Sequence, residues 1–435
     1  MRITQPLKHF LRLPLDQQID QEVRKYYKRN FIYNSLDGVF WIFGESFVSV
    51  NTILPVFAAT LTNSPLIIGL VPALIHAGWF IPQLLMAGYV QRLSRKMPFA
   101  RLMALIERFP YMLLPLTAYL LNWIPAQSAL ILFMIVITLR GLASGMIALP
   151  WQEVIATVIP MPVRSRFFGI SRTFGRLMGV IGSVITGLIL ASRTYPNNYA
   201  LSFLIGAVFI WISFVFFSRT VEPAANRSES EKSLVSDKSV WNDFQAYKKI
   251  LTLDKNFVKF LFSRILFQLS SMAIAFLAVF GIQEYGLLDE QAAVFTGILF
   301  FSGTIGFAVY GLIGDSLGPR KVLLSADFLQ AIALLLAFIN PGLWSIYVIF
   351  LIIGFAQSGY IIGELIIAME LGPIDKRPAY IGLARTLPGF FILVSPLIGG
   401  YIVGQYSYQV MFLVALVFSA CGIMILMGVR DRKLT

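Results

Sequence analysis

Gly311-Leu-Ile-Gly314-Asp315-Ser-Leu-Gly318-Pro-Arg320-Lys321 is the stretch that decides the fold. It lies between two long apolar runs, at about 291–313 and 321–340. A short charged segment between two such runs predicts two helices joined by a tight turn. Gly318 suits a backbone bend that a bulkier residue would resist.

The charges of this turn indicate a membrane surface. Asp315 can accept N–H bonds at a neighbouring helix N-terminus, where negative charge is favoured. Arg320 and Lys321 are typical of the cytoplasmic side. A weaker copy of the turn lies between the apolar runs 65–89 and 99–121, and it carries the polar residues Gln91, Arg92, Arg95 and Lys96.

The spacing of Gly311, Asp315, Gly318 and Arg320 resembles the signature loop of the major facilitator superfamily of secondary transporters. The family has this loop between helices 2 and 3, often with a copy between helices 8 and 9. The resemblance implies an all-α integral membrane protein with twelve transmembrane helices in two pseudo-symmetric six-helix bundles. The first copy departs from the family pattern because Gln91 replaces the acid.

The composition excludes an ordinary soluble domain. The chain is 57% apolar and 13% charged, whereas soluble domains carry about 25% charged residues. The single cysteine, Cys421, allows no disulfide within the chain and no cysteine metal cluster. We find no phosphate-binding loop, zinc-protease motif or nucleophile elbow, so we expect neither an enzyme nor a cofactor nor a metal. The net charge of +13 collects in tails and alternate loops, which argues against nucleic acid as a partner.

Twelve apolar runs have the length of about 20 residues that a bilayer requires. We number them spans 1 to 12, at about 33–58, 65–89, 99–121, 127–150, 166–191, 197–218, 257–282, 291–313, 321–340, 343–366, 379–403 and 407–429. Most of the 35 Lys and Arg residues fall in the tails and even-numbered loops, and Arg193 is the one in the odd-numbered loops. This bias predicts a multi-pass protein of the cell membrane with both termini in the cytoplasm.

The span pattern divides the chain into five parts. They are a cytoplasmic tail at 1–30 that can form an amphipathic helix, a six-helix bundle at 31–218, a cytoplasmic loop at 219–256, a second bundle at 257–430, and a tail at 431–435. The halves repeat, because Pro160 to Thr173 aligns without gaps with Pro373 to Thr386. Such a repeat supports two homologous halves.

Small residues recur where helices should pack closely. They are Gly175, Gly179, Gly182 and Gly187 in span 5 and Gly399, Gly400 and Gly404 in or beside span 11. We expect these glycines to mark helix contacts.

The chemistry is expected to lie in the intramembrane charges, since each is costly and needs a partner or a water-filled cavity. The resemblance places Glu45 of span 1 and Arg140 of span 4 in a central cavity. We expect Glu45 to carry protons with Arg140 tuning its affinity, and the alternative is a fixed structural ion pair. His76 of span 2 could relay a proton, because histidine titrates near neutral pH, or it could be a packing residue.

The second half offers corresponding candidates for a substrate path. They are Arg264 and Gln268 in span 7 and Gln357, Tyr360 and Glu364 in span 10. Asp37, Glu107 and Arg108 are also intramembrane. Glu107 and Arg108 are sequence neighbours that point in different directions on a helix, so we expect them to have other partners and a structural role.

The resemblance also implies a cytoplasmic gate. Asp315 is expected to meet the start of span 5 near Arg164 or Arg172. The symmetric contact of Gln91 near Arg377 or Arg385 in span 11 has lost its acid and should be weaker.

These features predict a secondary transporter that moves a small-molecule substrate by alternating access, with the lipid bilayer as its surroundings. We expect proton coupling, a monomer, and export of an amphipathic or drug-like compound. Nutrient uptake, flipping of a lipid-linked molecule, and a non-transporting sensor or scaffold remain alternatives.

Overall fold

A computed structural model describes residues 21–223, 248–340, 342–373 and 377–430. Within these ranges the chain is helical and contains no strand. Ten helices there are long and apolar enough to cross a membrane. Span 3 is not among them because Arg101, Glu107 and Arg108 interrupt its apolar surface. Span 1 is not among them because Gln21–Glu45 carries too many charged residues and Ile53–Leu61 has only 9 residues. Twelve spans are consistent with this architecture.

The helix bounds follow the sequence expectation closely. The first half contains Gln21–Glu45 and Ile53–Leu61 (span 1), Pro65–Arg92, Met97–Tyr119, Ala126–Val158, Met161–Ser192 and Asn197–Ser218. The second half contains Lys255–Ser270 and Leu277–Tyr285 (span 7), Gln291–Leu317, Pro319–Ile339, Leu343–Leu371, Arg377–Gln405 and Tyr408–Met427.

The first described helix, Gln21–Glu45, includes residues that the sequence assigns to a tail. Tyr27 and Phe31 explain this extension, since both are buried and pack in one cluster with Phe167 of span 5. Burial of these aromatic rings favours continuing the helix beyond the bilayer. Residues 1–20 and 431–435 and most of the predicted central loop lie outside the described residues.

Spans 1 and 7 are each broken, which corrects the expectation of continuous helices. Span 1 leaves the helix after Glu45 and resumes at Ile53. Span 7 leaves it after Ser270, passes through a short 3₁₀ turn and resumes at Leu277. The breaks therefore occur in the first span of each half. Backbone groups freed at membrane depth must find partners in the protein.

The described residues belong to two compact units. One comprises Met1–Ser49 and Leu74–Asn226, and the other comprises Val50–Ala73 and Arg227–Thr435. The end of span 1 and the start of span 2 thus belong to the second unit. Within that unit the Thr52 and Thr296 hydroxyls share a hydrogen bond.

The glycines of span 5 do mark close helix contacts. A Cβ at Gly175 would lie 2.6 Å from Ile42 Cδ1, and one at Gly182 would overlap Ser46 Oγ. Span 11 makes a similarly close contact in the second unit, where a Cβ at Gly400 would lie 2.7 Å from the Pro65 carbonyl oxygen. The contacts expected at these three glycines are confirmed.

One asparagine near the start of each half ties the first and last spans of its bundle together. Asn30 donates to the Val221 carbonyl at 2.8 Å and accepts from the Val221 N–H at 2.9 Å. Asn256 makes the same reciprocal pair with Arg430, at 2.8 Å in both directions. These ties fix the ends of spans 1 and 6 in one bundle and of spans 7 and 12 in the other.

Candidate functional site

Glu45 and Arg140 form the centre of a charged cluster in the first unit. Arg140 Nη2 donates to both carboxylate oxygens of Glu45 at 2.8 Å. Tyr111 of span 3 donates its hydroxyl to the same carboxylate. The Arg140 guanidinium also lies over the Tyr111 ring, 4.7 Å from its centroid. The expected proximity of Glu45 and Arg140 is therefore present, and Tyr111 is a partner that the sequence reasoning missed.

The same arginine supports the broken backbone of span 1. Glu45 is the last residue of the first helix, and Arg140 Nη1 reaches the Val48 carbonyl at 3.5 Å. The hydroxyl of Ser202 donates to the Phe47 carbonyl at 3.2 Å. Arg140 thus combines an ion pair with a contact that satisfies unwound backbone in the membrane.

His76 lies on span 2, where this span crosses span 4. The crossing is tight because a Cβ at Gly78 would overlap the backbone carbon of Gly141. The side chain of His76 is half-buried, and the charge of Arg140 acts on it. The helix crossing therefore places His76 close enough to the Glu45 cluster to be influenced by it.

Glu107 and Arg108 contradict the sequence expectation, because they bind each other. Arg108 Nη1 lies 2.5 Å from Glu107 Oε2, and Arg108 Nη2 lies 3.6 Å from Asp37 Oδ1. Their long side chains bridge the angle that separates neighbours on a helix. Asp37 also accepts a hydrogen bond from the Ser213 hydroxyl at 2.6 Å. We refer to Asp37, Glu107 and Arg108 as the charged triad.

The charged triad lines a cavity of about 290 Å³ in the first unit. Span 3 thus contributes to a cavity, which the resemblance did not imply. The other lining residues come from spans 1, 2, 4 and 5, and they include Asn34, Trp41, Trp79, Ser144, Ile147, Ala148, Trp151, Phe168 and Arg172. A concave space with aromatic walls and a few convergent polar groups is typical of a small-molecule site.

Arg264 is paired with Asp327 of span 9 in the second unit. Arg264 Nη1 donates to Asp327 Oδ1 at 3.1 Å, and Nη2 donates to Oδ2. The two side chains are 0% and 1% exposed. The sequence reasoning placed Arg264 on a substrate path and missed Asp327. A lone acid within the apolar run of span 9 was the signal that could have identified it.

The remaining candidates of the second unit lie around this pair. Tyr360 and Glu364 lie four residues apart on span 10, and the Tyr360 ring stacks on Phe267 with centroids 4.8 Å apart. Gln268 is buried and Gln357 is half-buried. Tyr360 and Glu364 therefore lie close enough to Arg264 to act on it electrostatically.

The turn at Gly318 has the conformation that its sequence predicts. The helix of span 8 ends at Leu317, Gly318 has φ of +77°, and Pro319 begins the next helix. Arg320 donates to the Met427 carbonyl at the end of span 12. Gly311, Arg92, Arg95 and Arg385 are exposed.

The expected gate contacts rest largely on side chains outside the described residues, namely those of Asp315, Gln91 and Arg377. Arg164 donates to the Ala156 and Ile159 carbonyls at the end of span 4. Arg172 is exposed and lines the cavity. In the described ranges no three acidic, histidine or cysteine side chains form a metal site.

Three comparisons relate the chain to known proteins. The family model described as Major Facilitator Superfamily matches residues 36–309 and 260–434. The uncharacterized MFS-type transporter MJ1317 of Methanocaldococcus jannaschii is 24% identical over 366 residues, which cover 81% of this chain and 83% of that protein.

Two solved structures are also similar. One is a mutant of the nucleoside transporter NupG, with a TM-score of 0.71, 13% identity, and coverage of 92% of this chain and 100% of that chain. The other is a D-xylose-proton symporter, with a TM-score of 0.70, 12% identity, and coverage of 94% and 99%. At these identities the structures show the fold alone.

Proposed function

Because the chain belongs to the major facilitator superfamily, a family of transporters, we propose that it is a proton-coupled secondary transporter that exports amphipathic or drug-like compounds by alternating access. The Glu45–Arg140–Tyr111 cluster supports the proton coupling. It joins a carboxylate, a cation and a hydroxyl at the point where the span 1 helix ends.

The exposure of Glu45 distinguishes it from the other paired intramembrane carboxylates. Its side chain is 19% exposed, against 6% for Asp37, 7% for Glu107 and 1% for Asp327. A proton can therefore reach Glu45 most directly. Arg140 favours the charged form of the carboxylate, whereas loss of water around it favours the neutral form. Opening and closing of the site changes both influences, so Glu45 can take a proton on one face and release it on the other.

Glu45→Gln is expected to abolish proton-driven accumulation while sparing substrate exchange, because glutamine keeps the shape of the side chain but cannot release a proton. Proteoliposomes with an acidic lumen and external ethidium provide the measurement, with uridine and D-xylose as neutral comparison solutes. Dye should enter inside-out protein as protons leave. Exchange of labelled ethidium without a gradient reports the uncoupled step.

Glu22→Gln is the matched control, since Glu22 is a half-exposed carboxylate in a surface pair with Lys25. It should accumulate ethidium like the unmodified protein. A well-folded Glu45→Gln protein that still accumulates solute in response to the pH gradient would refute the coupling role. Loss of expression and thermal stability, with coupling retained in the surviving protein, would identify a structural ion pair instead.

Orientation gives a second test of this proposal. We propose that the chain resides in the cell membrane as a monomer with both termini and the central loop in the cytoplasm, because of its basic-residue bias. Reporter fusions after Thr435 and within 225–235 should then be active only as cytoplasmic reporters. An alkaline phosphatase fusion that is active at either position would contradict this topology.

A further inference from the structure

Aromatic side chains are concentrated in the wall of the first-unit cavity. They are Trp41, Trp79, Trp151, Phe167 and Phe168. Three of the seven tryptophans of the chain thus line one cavity, although only 14% of all residues are aromatic. Such a wall presents flat apolar faces and edges, which attract another aromatic ring beyond the effect of buried area alone.

Three of these rings are accessible to a ligand. Trp79 is 38% exposed, and Trp151 and Phe168 are half-buried. Trp151 and Phe168 stand edge to face, with ring centroids 6.3 Å apart. Trp41 differs from them, because the guanidinium of Arg108 lies over its ring, 4.7 Å from the centroid. The accessible rings belong to spans 2, 4 and 5, so they can surround a ligand from more than one side.

Small residues of span 4 leave space beside these rings. Ser144, Ala148 and Trp151 are spaced by four and three residues, so they share one face of the helix, and all three line the cavity. The volume of about 290 Å³ accommodates a molecule with one ring and a short chain. Large rings next to small side chains give a space that suits a flat ligand.

The charges of the wall balance, so they do not select a ligand by its charge. Asp37 and Glu107 are negative, and Arg108 and Arg172 are positive. Arg108 binds both carboxylates. The side chain of Arg172 is exposed, and solvent therefore screens its charge. Recognition is left to the rings and to uncharged hydrogen bonds.

Asn34 adds an independent indication of a ligand. This cavity-lining residue is 2% exposed, and its amide nitrogen donates to the Asn30 carbonyl at 2.8 Å and to Thr220 Oγ1 at 3.0 Å. Its Oδ1 is buried and has no hydrogen-bond partner among the described residues. A buried acceptor without a donor is costly, and a ligand that donates a hydrogen bond would satisfy it.

We propose that this cavity binds a planar aromatic molecule that carries a hydrogen-bond donor, and that it recognises the ring rather than a charge. The ring packs among Trp79, Trp151 and Phe168 beside Ala148, and the donor meets Asn34 Oδ1. This inference names the substrate class of the proposed exporter and rests on that function only in taking the bound molecule to be the transported solute. Binding itself requires neither transport nor a proton gradient.

Calorimetric titration of the purified full chain in detergent, with empty micelles as the blank, tests the ring and the donor. The probes are 2-phenylethanol, 2-cyclohexylethanol, which has no flat ring, and (2-methoxyethyl)benzene, which cannot donate a hydrogen bond. 2-Phenylethanol should bind about 2- to 10-fold more tightly than either of the other two. Equal or tighter binding of 2-cyclohexylethanol or of the ether, or no saturable binding of 2-phenylethanol, would overturn the proposal.

Two charged probes, 2-phenylethylammonium and 3-phenylpropionate, test the role of charge. Both should bind within about tenfold of 2-phenylethanol, because the wall carries equal numbers of positive and negative groups. A larger preference for either charged probe would show that charge governs recognition and would contradict the inference.

Two variants place the binding in the cavity. Trp151→Leu keeps an apolar side chain but removes the ring, so the advantage of 2-phenylethanol over 2-cyclohexylethanol should fall to about twofold or less. Ala148→Phe fills the space without changing a charge, and it should weaken both alcohols even if Trp151→Leu fails to fold. Trp344→Leu is the matched control, since Trp344 is 78% exposed in the second unit, and it should bind normally. Unchanged affinity in folded Ala148→Phe protein would refute the site.

This inference and the proposed function fail in different ways. Loss of proton coupling alone would leave the titrations unaltered and would count against the transport mechanism only. A protein that accumulates ethidium in a pH gradient but shows no saturable binding of 2-phenylethanol would refute the aromatic site and leave the exporter in place.

Discussion

Asp327→Ala is expected to destabilise the second unit by about 3–5 kcal/mol, because it leaves the buried guanidinium of Arg264 without its counter-charge. Arg264 is 0% exposed and binds both oxygens of Asp327. No solvent can replace the lost carboxylate. The measurement is a thermal melt of the purified variant in detergent, in which a large decrease in melting temperature is expected.

A double variant separates the charge from the packing. Asp327→Leu combined with Arg264→Met removes both charges and keeps side chains of useful size at both positions. Replacing a buried ion pair by apolar residues is often neutral or stabilising. The double variant should therefore melt well above Asp327→Ala. A single variant that melts like the unmodified protein would show that Arg264 finds another partner.

The corresponding change in the first unit should have a smaller effect. Asp37 of span 1 faces Arg108 of span 3. In each unit an ion pair thus joins the first span of the half to its third span, but the acid lies on the first span in one unit and on the third span in the other. Arg108 retains Glu107 when Asp37 is lost, and a cavity adjoins the site. The second carboxylate and nearby solvent moderate the cost of an unpaired guanidinium.

The order and bounds of the spans were predictable because they depend on local composition. Runs of about 20 apolar residues, a basic-residue bias and a glycine turn act over short distances along the chain. Gly318 illustrates this, because its positive φ follows from a turn that needs a residue without a Cβ. The chain repeat between spans 4–5 and 10–11 is also visible without coordinates.

The helix breaks were not predictable from the same signals. Three of the six residues from Ser46 to Asn51 are apolar, and the stretch contains neither glycine nor proline. The unwound carbonyls of Phe47 and Val48 are satisfied by Ser202 and Arg140, which lie far away in sequence. A helix break that depends on hydrogen-bond partners far away in sequence leaves no local sequence pattern from which it could be predicted.

The candidate site was predicted in part for a similar reason. Glu45 and Arg140 could be identified because each is an isolated charge in an apolar run. Tyr111 could not, since it is one of 17 tyrosines and only the fold brings its hydroxyl to Glu45. Asp327 carried a signal, and its pairing with Arg264 became evident only from the packing of spans 7 and 9.

Arg140→Met is expected to reduce gradient-driven accumulation by about 100-fold or more. Removing one partner of a buried pair costs about 3 kcal/mol or more, which corresponds to a factor of about 100. Without the guanidinium, Glu45 would lose the partner that we propose tunes its affinity for the proton. The Val48 carbonyl would also lose its contact with Arg140. Proton-driven ethidium accumulation in proteoliposomes provides the measurement.

Arg140→Lys and a double variant distinguish coupling from structure. Lysine keeps the charge but cannot bind both oxygens of Glu45 in the planar geometry of arginine, so partial coupling is expected. Glu45→Gln combined with Arg140→Met removes both charges, which should restore stability relative to Arg140→Met while accumulation stays absent. If the pair serves only to hold spans 1 and 4 together, the stable double variant will accumulate solute in a pH gradient. That result would assign proton carriage to another group, because neither residue of the pair could then hold or release the proton.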